Sequence, residues 1–143
     1  MAIFEGTVQG NILVGADTDD ILIGRAGNDR LIGGLGADSL LGGTGRDFAK
    51  YLGINAQTMI IADLLAGIGT GGDAEEDTYE SIEGLIGSIF GDRLIGDNLD
   101  NRLLGREGDD EIFGNAGDDQ ISGGRGADTL SGGDGNDWLL YRQ

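Results

Sequence analysis

The sequence predicts an all-β fold, a parallel β-roll in which short strands and tight half-turns alternate along a solenoid. Three observations carry that expectation. From Gly24 to Lys50 the chain reads GRAGNDRLI, GGLGADSLL and GGTGRDFAK, and from Gly105 to Leu140 the same phase gives GREGDDEIF, GNAGDDQIS, GGRGADTLS and GGDGNDWLL. Each row is Gly, any, any, Gly, any, Asp, any, apolar, any, and self-similarity at nine residues is a signature of a stacked β-helix. An apolar residue recurs at the eighth place, and the 30 glycines are periodic in a chain that has no proline, which argues for ordered turns and against disorder.

Each element follows from this lettering. Extending the phase backwards gives weaker rows from Gly6, Gly15, Gly87 and Gly96, so that eleven rows all begin with Gly. The sixth place holds Asp20, Asp29, Asp38, Asp47, Asp92, Asp110, Asp119, Asp128 and Asp137, with Asn11 and Asn101 in the other two rows. Because strand side chains alternate, the eighth residue points inward while the seventh and ninth face out. The first six residues turn the chain through about half a circuit, with Gly at places one, two and four supplying positive φ. Successive rows then lie on opposite sheets, and rows two apart stack on the same side. The fourth place is Gln9, Thr18, Phe90 and Leu99 in the first two rows of each array and Gly elsewhere, so each array starts loosely and tightens.

The expected organisation is an N-terminal array over 1–51, a connector over 52–86 that continues the sheets, and a C-terminal array over 87–143. In the connector, Met59 to Leu65 reads as a short strand, Gly67 to Asp73 as a turn, and the acidic run Asp73, Glu75, Glu76, Asp77 and Glu80 as a solubilising surface. Both arrays end alike, Asp47-Phe48-Ala49-Lys50-Tyr51 matching Asp137-Trp138-Leu139-Leu140-Tyr141. Phe48 and Trp138 are read as caps on the stack, and Tyr51 and Tyr141 as core. Asp17, Asp19, Asp109, Asp118 and Asp134 are read as solvated surface, and Arg93 with Glu111 as an exposed same-sheet pair.

Composition narrows the function. With 26 acidic against 9 basic residues the net charge is −17, a surface that repels nucleic acid and anionic membranes. No Cys and no His are present, which removes a disulfide framework, zinc-finger sites and His-based catalysis. No apolar run is long enough to span a membrane, and the opening MAIFEGTVQG lacks the pattern of a Sec signal peptide. The expectation is a non-enzymatic module.

The acidic column points to a hard cation. Two bare carboxylates about 5 Å apart repel by roughly 3 kcal/mol at an effective dielectric of about 20. A divalent ion reverses that sign, and Ca²⁺ accepts six to eight oxygens in adaptable geometry, where Mg²⁺ demands a tight octahedron. Loops that offer only oxygen disfavour soft metals. Ordering the glycines costs about 15 kcal/mol at ~0.5 kcal/mol each. Roughly half a dozen calcium sites at ~2.7 kcal/mol apiece offset a sum of that size, so folding is expected to be calcium-driven.

These rows resemble the RTX family of haemolysin-type calcium-binding nonapeptide repeats. The resemblance implies a right-handed parallel β-roll with Ca²⁺ between stacked loops, each ion taking the sixth-place Asp of rows two apart plus carbonyls of the Gly-rich half-loops. Carried over, it pairs Asp29 with Asp47, Asp110 with Asp128, Asp119 with Asp137, Asp20 with Asp38 and Asp92 with Asp110, then more weakly Asn101 with Asp119 and Asn11 with Asp29. The glycines implied are Gly24, Gly27, Gly33, Gly36, Gly42, Gly45, Gly105, Gly108, Gly114, Gly117, Gly123, Gly126, Gly132 and Gly135. The resemblance further implies a secreted, bacterial, extracellular protein that meets the type I secretion machinery, and a secretion signal beyond the array, where this sequence stops at Gln143. The matching of Tyr141 to Tyr51 points to a second connector in a longer parent. The rival expectation is a calcium-dependent adhesion or glycan-binding accessory module of a larger secreted enzyme or adhesin.

Overall fold

One inward residue per nine leaves room only for short strands joined by tight half-turns. In the computed structural model, which describes residues 1–53 and 58–141, the first array holds β1 (Ile3–Glu5), β2 (Ile12–Val14), β3 (Ile21–Ala26), β4 (Arg30–Ile32), β5 (Ser39–Thr44) and β6 (Phe48–Lys50). The connector adds β7 (Ile61–Asp63), β8 (Ile68–Thr70), a 3-10 turn at Gly72–Ala74, β9 (Thr78–Glu80) and β10 (Gly84–Ile86). The second array holds β11 (Arg93–Ile95), β12 (Arg102–Glu107), β13 (Glu111–Ala116), β14 (Gln120–Arg125), β15 (Thr129–Asp134) and β16 (Trp138–Leu140). Residues 54–57 of the predicted connector and 142–143 of the predicted second array lie outside the described residues.

Rows two apart share a sheet, as in the parallel register of Ile21 with Ser39, Arg30 with Phe48 and Glu111 with Thr129. One sheet runs β1-β3-β5-β9-β8-β7-β11-β13-β15 and the other β16-β14-β12-β10-β6-β4-β2. The eighth-place residues Leu22, Leu31, Leu40, Leu94, Leu103, Ile112 and Ile121 fill the space between the sheets and are fully or almost fully buried. Each such side chain contributes about 1.5–3 kcal/mol. Arg93 and Glu111 stand side by side on the outer face at 3.4 Å.

Three local expectations change. In six rows the strand does not stop at the ninth place but runs on through places one to three of the next row, as β3, β5, β12, β13, β14 and β15 do. Gly67 to Asp73, read as a turn, contains β8, which lies antiparallel between β7 and β9. Gly69 is there for contact, since a Cβ on it would collide with the Tyr79 hydroxyl and stand 2.7 Å from the Ala74 carbonyl oxygen, whereas Gly67, Gly71 and Gly72 take positive φ. The nine-residue phase also resumes before residue 87. Leu85 is buried as an eighth-place residue, and β10 pairs in parallel with both β6 and β12.

Candidate metal centre

The local backbone decides where each sixth-place side chain points. The main-chain N–H of one sixth-place residue donates to Oδ1 of the sixth-place Asp two rows on. The bonds run Asn11 to Asp29 (2.6 Å), Asp20 to Asp38 (2.8 Å), Asp29 to Asp47 (2.7 Å), Asp92 to Asp110 (2.8 Å), Asn101 to Asp119 (2.8 Å), Asp110 to Asp128 (3.0 Å) and Asp119 to Asp137 (3.0 Å). Every predicted pair is therefore brought together, through a carboxylate and an amide. Asp20, Asp29, Asp38, Asp47, Asp92, Asn101, Asp110 and Asp119 are buried, while Asp128 and Asp137 at the C-terminal end are partly so.

The other oxygen divides the rows into two kinds. In the four rows without Gly at the fourth place, the N–H of the second residue donates to the row's own sixth side chain: Thr7 to Asn11 Oδ1 (2.7 Å), Ala16 to Asp20 Oδ2 (2.8 Å), Ser88 to Asp92 Oδ2 (2.6 Å) and Asp97 to Asn101 Oδ1 (2.7 Å). These half-loops are closed on themselves. In the other seven rows the second and fourth residues both take positive φ, for example Gly34 at 108° and Gly36 at 116°, and the Oδ2 atoms of Asp29, Asp38, Asp47, Asp110 and Asp119 receive no bond from the second N–H. Arg25, Arg106 and Asn115 adopt positive φ at the second place although they are not glycine. The first-place glycines do not need positive φ. They supply space, because a Cβ on Gly33, Gly105, Gly114, Gly123 or Gly132 would collide with Oδ2 of the Asp five residues on, and one on Gly24 or Gly42 would lie 2.6 or 2.7 Å from it.

The open rows hold the chemistry. Oδ2 of Asp29, Asp38, Asp47, Asp110 and Asp119 is buried and has no hydrogen-bond partner. A buried, unpaired carboxylate oxygen is costly. Burial accordingly pushes Asp38 up to about 6 and Asp110 up to about 7, and raises Asp47 and Asp119. Among the described residues no three acidic or other ligating side chains converge, so an ion held here would draw on one or two carboxylates and need main-chain carbonyls to complete its shell. That all-oxygen, anionic donor set fits calcium and does not fit a soft metal. Asp20 and Asp92 fit less well, since both oxygens of each already accept hydrogen bonds.

Several contributors escape the repeat lettering. Asp77 and Glu83 extend the sixth-place columns through the connector, accepting the N–H of Asp38 (2.9 Å) and Asp47 (2.8 Å). Asp77 is fully buried, pushed up to about 7 by that burial, and Asp73 is buried too, so two of the five residues of the acidic run read as solubilising surface are interior. Tyr51 donates to Asp77 Oδ2 at 3.0 Å and its hydroxyl lies 2.5 Å from that of Tyr79. A second ladder uses exposed fifth-place side chains: Asp19, Asn28, Asp100, Asp109 and Asp118 accept the N–H of the fifth residue two rows on. Asp19, Asp109 and Asp118 are thus surface residues with a structural bond. Ser, Thr or Asp at the second place beside a non-Gly fourth place, as in Thr7/Gln9, Ser88/Phe90 and Asp97/Leu99, is the sequence sign of a closed half-loop, since that side chain accepts the fourth N–H.

A family model described as the RTX calcium-binding nonapeptide repeat matches the chain four times, over residues 14–49, 86–121, 95–130 and 113–141. No curated protein matches the chain.

Proposed function

Since this chain belongs to the RTX calcium-binding nonapeptide repeat family and is a calcium-binding β-roll module, we propose that its task is to fold on calcium outside the cell, as a secretion-assisting or spacer domain. The observation that carries this reading is the set of buried, partnerless Oδ2 atoms at Asp29, Asp38, Asp47, Asp110 and Asp119. Each marks an open half-loop that is unfavourable without a cation. The ions are assigned to these rows and, by the shared backbone of Gly124, Gly126, Gly133 and Gly135, to Asp128 and Asp137, about half a dozen in all. Calcium, when bound, supplies the positive charge that lets neighbouring carboxylates ionise together. The closed rows at Asn11, Asp20, Asp92 and Asn101 act as starter rows whose side chains are satisfied without metal. Among the described residues no helix is long and apolar enough to cross a membrane. Type I secretion machinery or a neighbouring domain of a larger protein is the partner this reading calls for.

Far-UV circular dichroism of the metal-stripped protein, titrated with CaCl₂ and separately with MgCl₂, tests the reading. A cooperative gain of β signal with calcium alone is expected. A metal-free protein that is already fully folded and indifferent to calcium overturns it.

A further inference from the structure

The two outer faces of the roll differ in charge, although the chain as a whole carries −17. On the sheet of β2, β4, β6, β10, β12, β14 and β16 the outward side chains are those of the seventh and ninth places, and none of them is acidic. Val14, Ile32, Ile86 and Leu104 make its ninth-place column apolar, and in the seventh the ring of Phe48 lies against Gly84. Arg30, Lys50 and Arg102 stand among these residues. Among the described residues none of the three forms an ion pair with a carboxylate, and Arg106, further along β12, reaches only the Gly87 carbonyl at 3.4 Å. The opposite face carries Glu5, Asp63, Glu80 and Glu111. Arg25 pairs with Glu5 and Arg93 with Glu111. That leaves Asp63, which accepts the Ala66 N–H at 2.8 Å, and Glu80 near the middle of the sheet, with the apolar Ile23, Leu41, Ile95 and Phe113 around them. Trp138 and Tyr141, expected as a cap and as core, are 82% and 58% exposed. No described row lies beyond them, and they belong to the end of the stack and to the centre of neither face.

We propose that these two faces bind each other between copies of the chain, the cationic face of one folded roll lying on the acidic face of the next. Glu80 on β9 and Asp63 on β7 are two strands apart, and so are Lys50 on β6 and Arg102 on β12. Along the stack axis each pair is therefore separated by about 10 Å, at ~4.8 Å per strand. The long side chains of Lys50 and Arg102 take up the remaining offset along the strands. A polyanion answers the cations but leaves the apolar column facing water, and an anionic membrane is repelled by the rest of the chain. The acidic face of a second copy offers carboxylates and apolar side chains together. Like faces do not pair, since that sets cation against cation or carboxylate against carboxylate. The contact is thus heterologous, on opposite sides of the roll, and it repeats without closing. The net charge does not forbid it. Most carboxylates lie in the half-loops at the edges of the roll, and the edges of stacked rolls stand about 20 Å apart, at two sheet-packing distances of ~10 Å, against a Debye length of ~8 Å in physiological salt.

Sedimentation velocity of the full chain in saturating CaCl₂, over a range of protein concentrations, tests the contact. A ladder of dimer, trimer and longer species that grows with concentration is expected. Lys50→Glu with Arg102→Glu should weaken association about a hundredfold, and Asp63→Lys with Glu80→Lys should do the same. In an equimolar mixture of the two variants the altered faces are complementary again, and the ladder should return. Circular dichroism in calcium shows that each variant has kept its β signal. Where a double variant has lost it, the single changes Arg102→Glu and Glu80→Lys, both at exposed residues, take its place. An unaltered chain that stays monomeric, or that stops at a dimer, overturns the proposal. So does association that the charge reversals leave unchanged, or a mixture of folded variants that does not recover it. The reading of calcium-driven folding fails separately, by a circular dichroism spectrum that EDTA does not change.

Discussion

A single methyl group distinguishes the two uses of glycine in these half-loops. At Gly33 the backbone is ordinary and only room is wanting, since a Cβ would strike Asp38 Oδ2. At Gly36 the φ of 116° is itself the requirement. Gly33→Ala is expected to displace the carboxylate and lower the stability of the calcium-loaded protein by about 1–3 kcal/mol, read from urea unfolding. The opposite sign is expected at Arg106, whose φ is 88°. Releasing strain of about 1–3 kcal/mol while adding the chain entropy of glycine leaves Arg106→Gly more stable by about 1 kcal/mol. Asp110→Asn removes a buried charge whose Oδ2 has no partner. The metal-free stack should gain about 1–3 kcal/mol, and calorimetric titration should count one calcium ion fewer. The sixth-place column and the fourth-place glycines were legible in the sequence because a fixed period and a positive φ both leave marks in lettering. The closing bond from the second N–H was not, because it depends on which way one amide turns.

The connector sets the limit of that legibility among the elements. Four glycines between Gly67 and Gly72 look like a turn, yet β8 forms because strands on both sides satisfy its backbone groups. The resumption at Glu83 was hidden because Glu stands where Asp is usual and no Gly opens the row. Its longer side chain still reaches the Asp47 amide. Tyr51, Tyr79 and Asp77 tie β6, β9 and the acidic column into one buried cluster. Tyr51→Phe leaves Asp77 Oδ2 without its donor and is expected to cost about 1–3 kcal/mol. Urea unfolding of the calcium-loaded protein measures it, and Tyr141→Phe, at an exposed hydroxyl, should leave the same transition nearly unmoved.

Over the whole molecule the raised carboxyls make stability depend on pH with a sign that calcium inverts. Asp38, Asp77 and Asp110 titrate in the folded chain at about 6, about 7 and about 7, against 3.8 in the unfolded one. The folded state thus holds protons that the unfolded state has released, and the metal-free fold loses stability as pH rises from about 4 to about 7. Calcium binds the ionised form, so the loaded protein should become more stable over the same interval; thermal unfolding at pH 5 and pH 8, with EDTA and with calcium, checks both slopes. The sixth-place ladder has a further consequence, for the order of assembly. Among the described residues, every sixth-place amide that meets a carboxylate meets one nearer the C-terminus, two rows on within an array and across the connector at Asp38 and Asp47. A stack lengthening from its C-terminal end offers every arriving row an acceptor already in place, whereas one lengthening from its N-terminal end always carries two amides still waiting. The fifth-place ladder runs the other way, but its amides are exposed and water serves them. With each unmet buried donor costing about 1–3 kcal/mol, the roll has a built-in polarity of growth, from its last row towards its first.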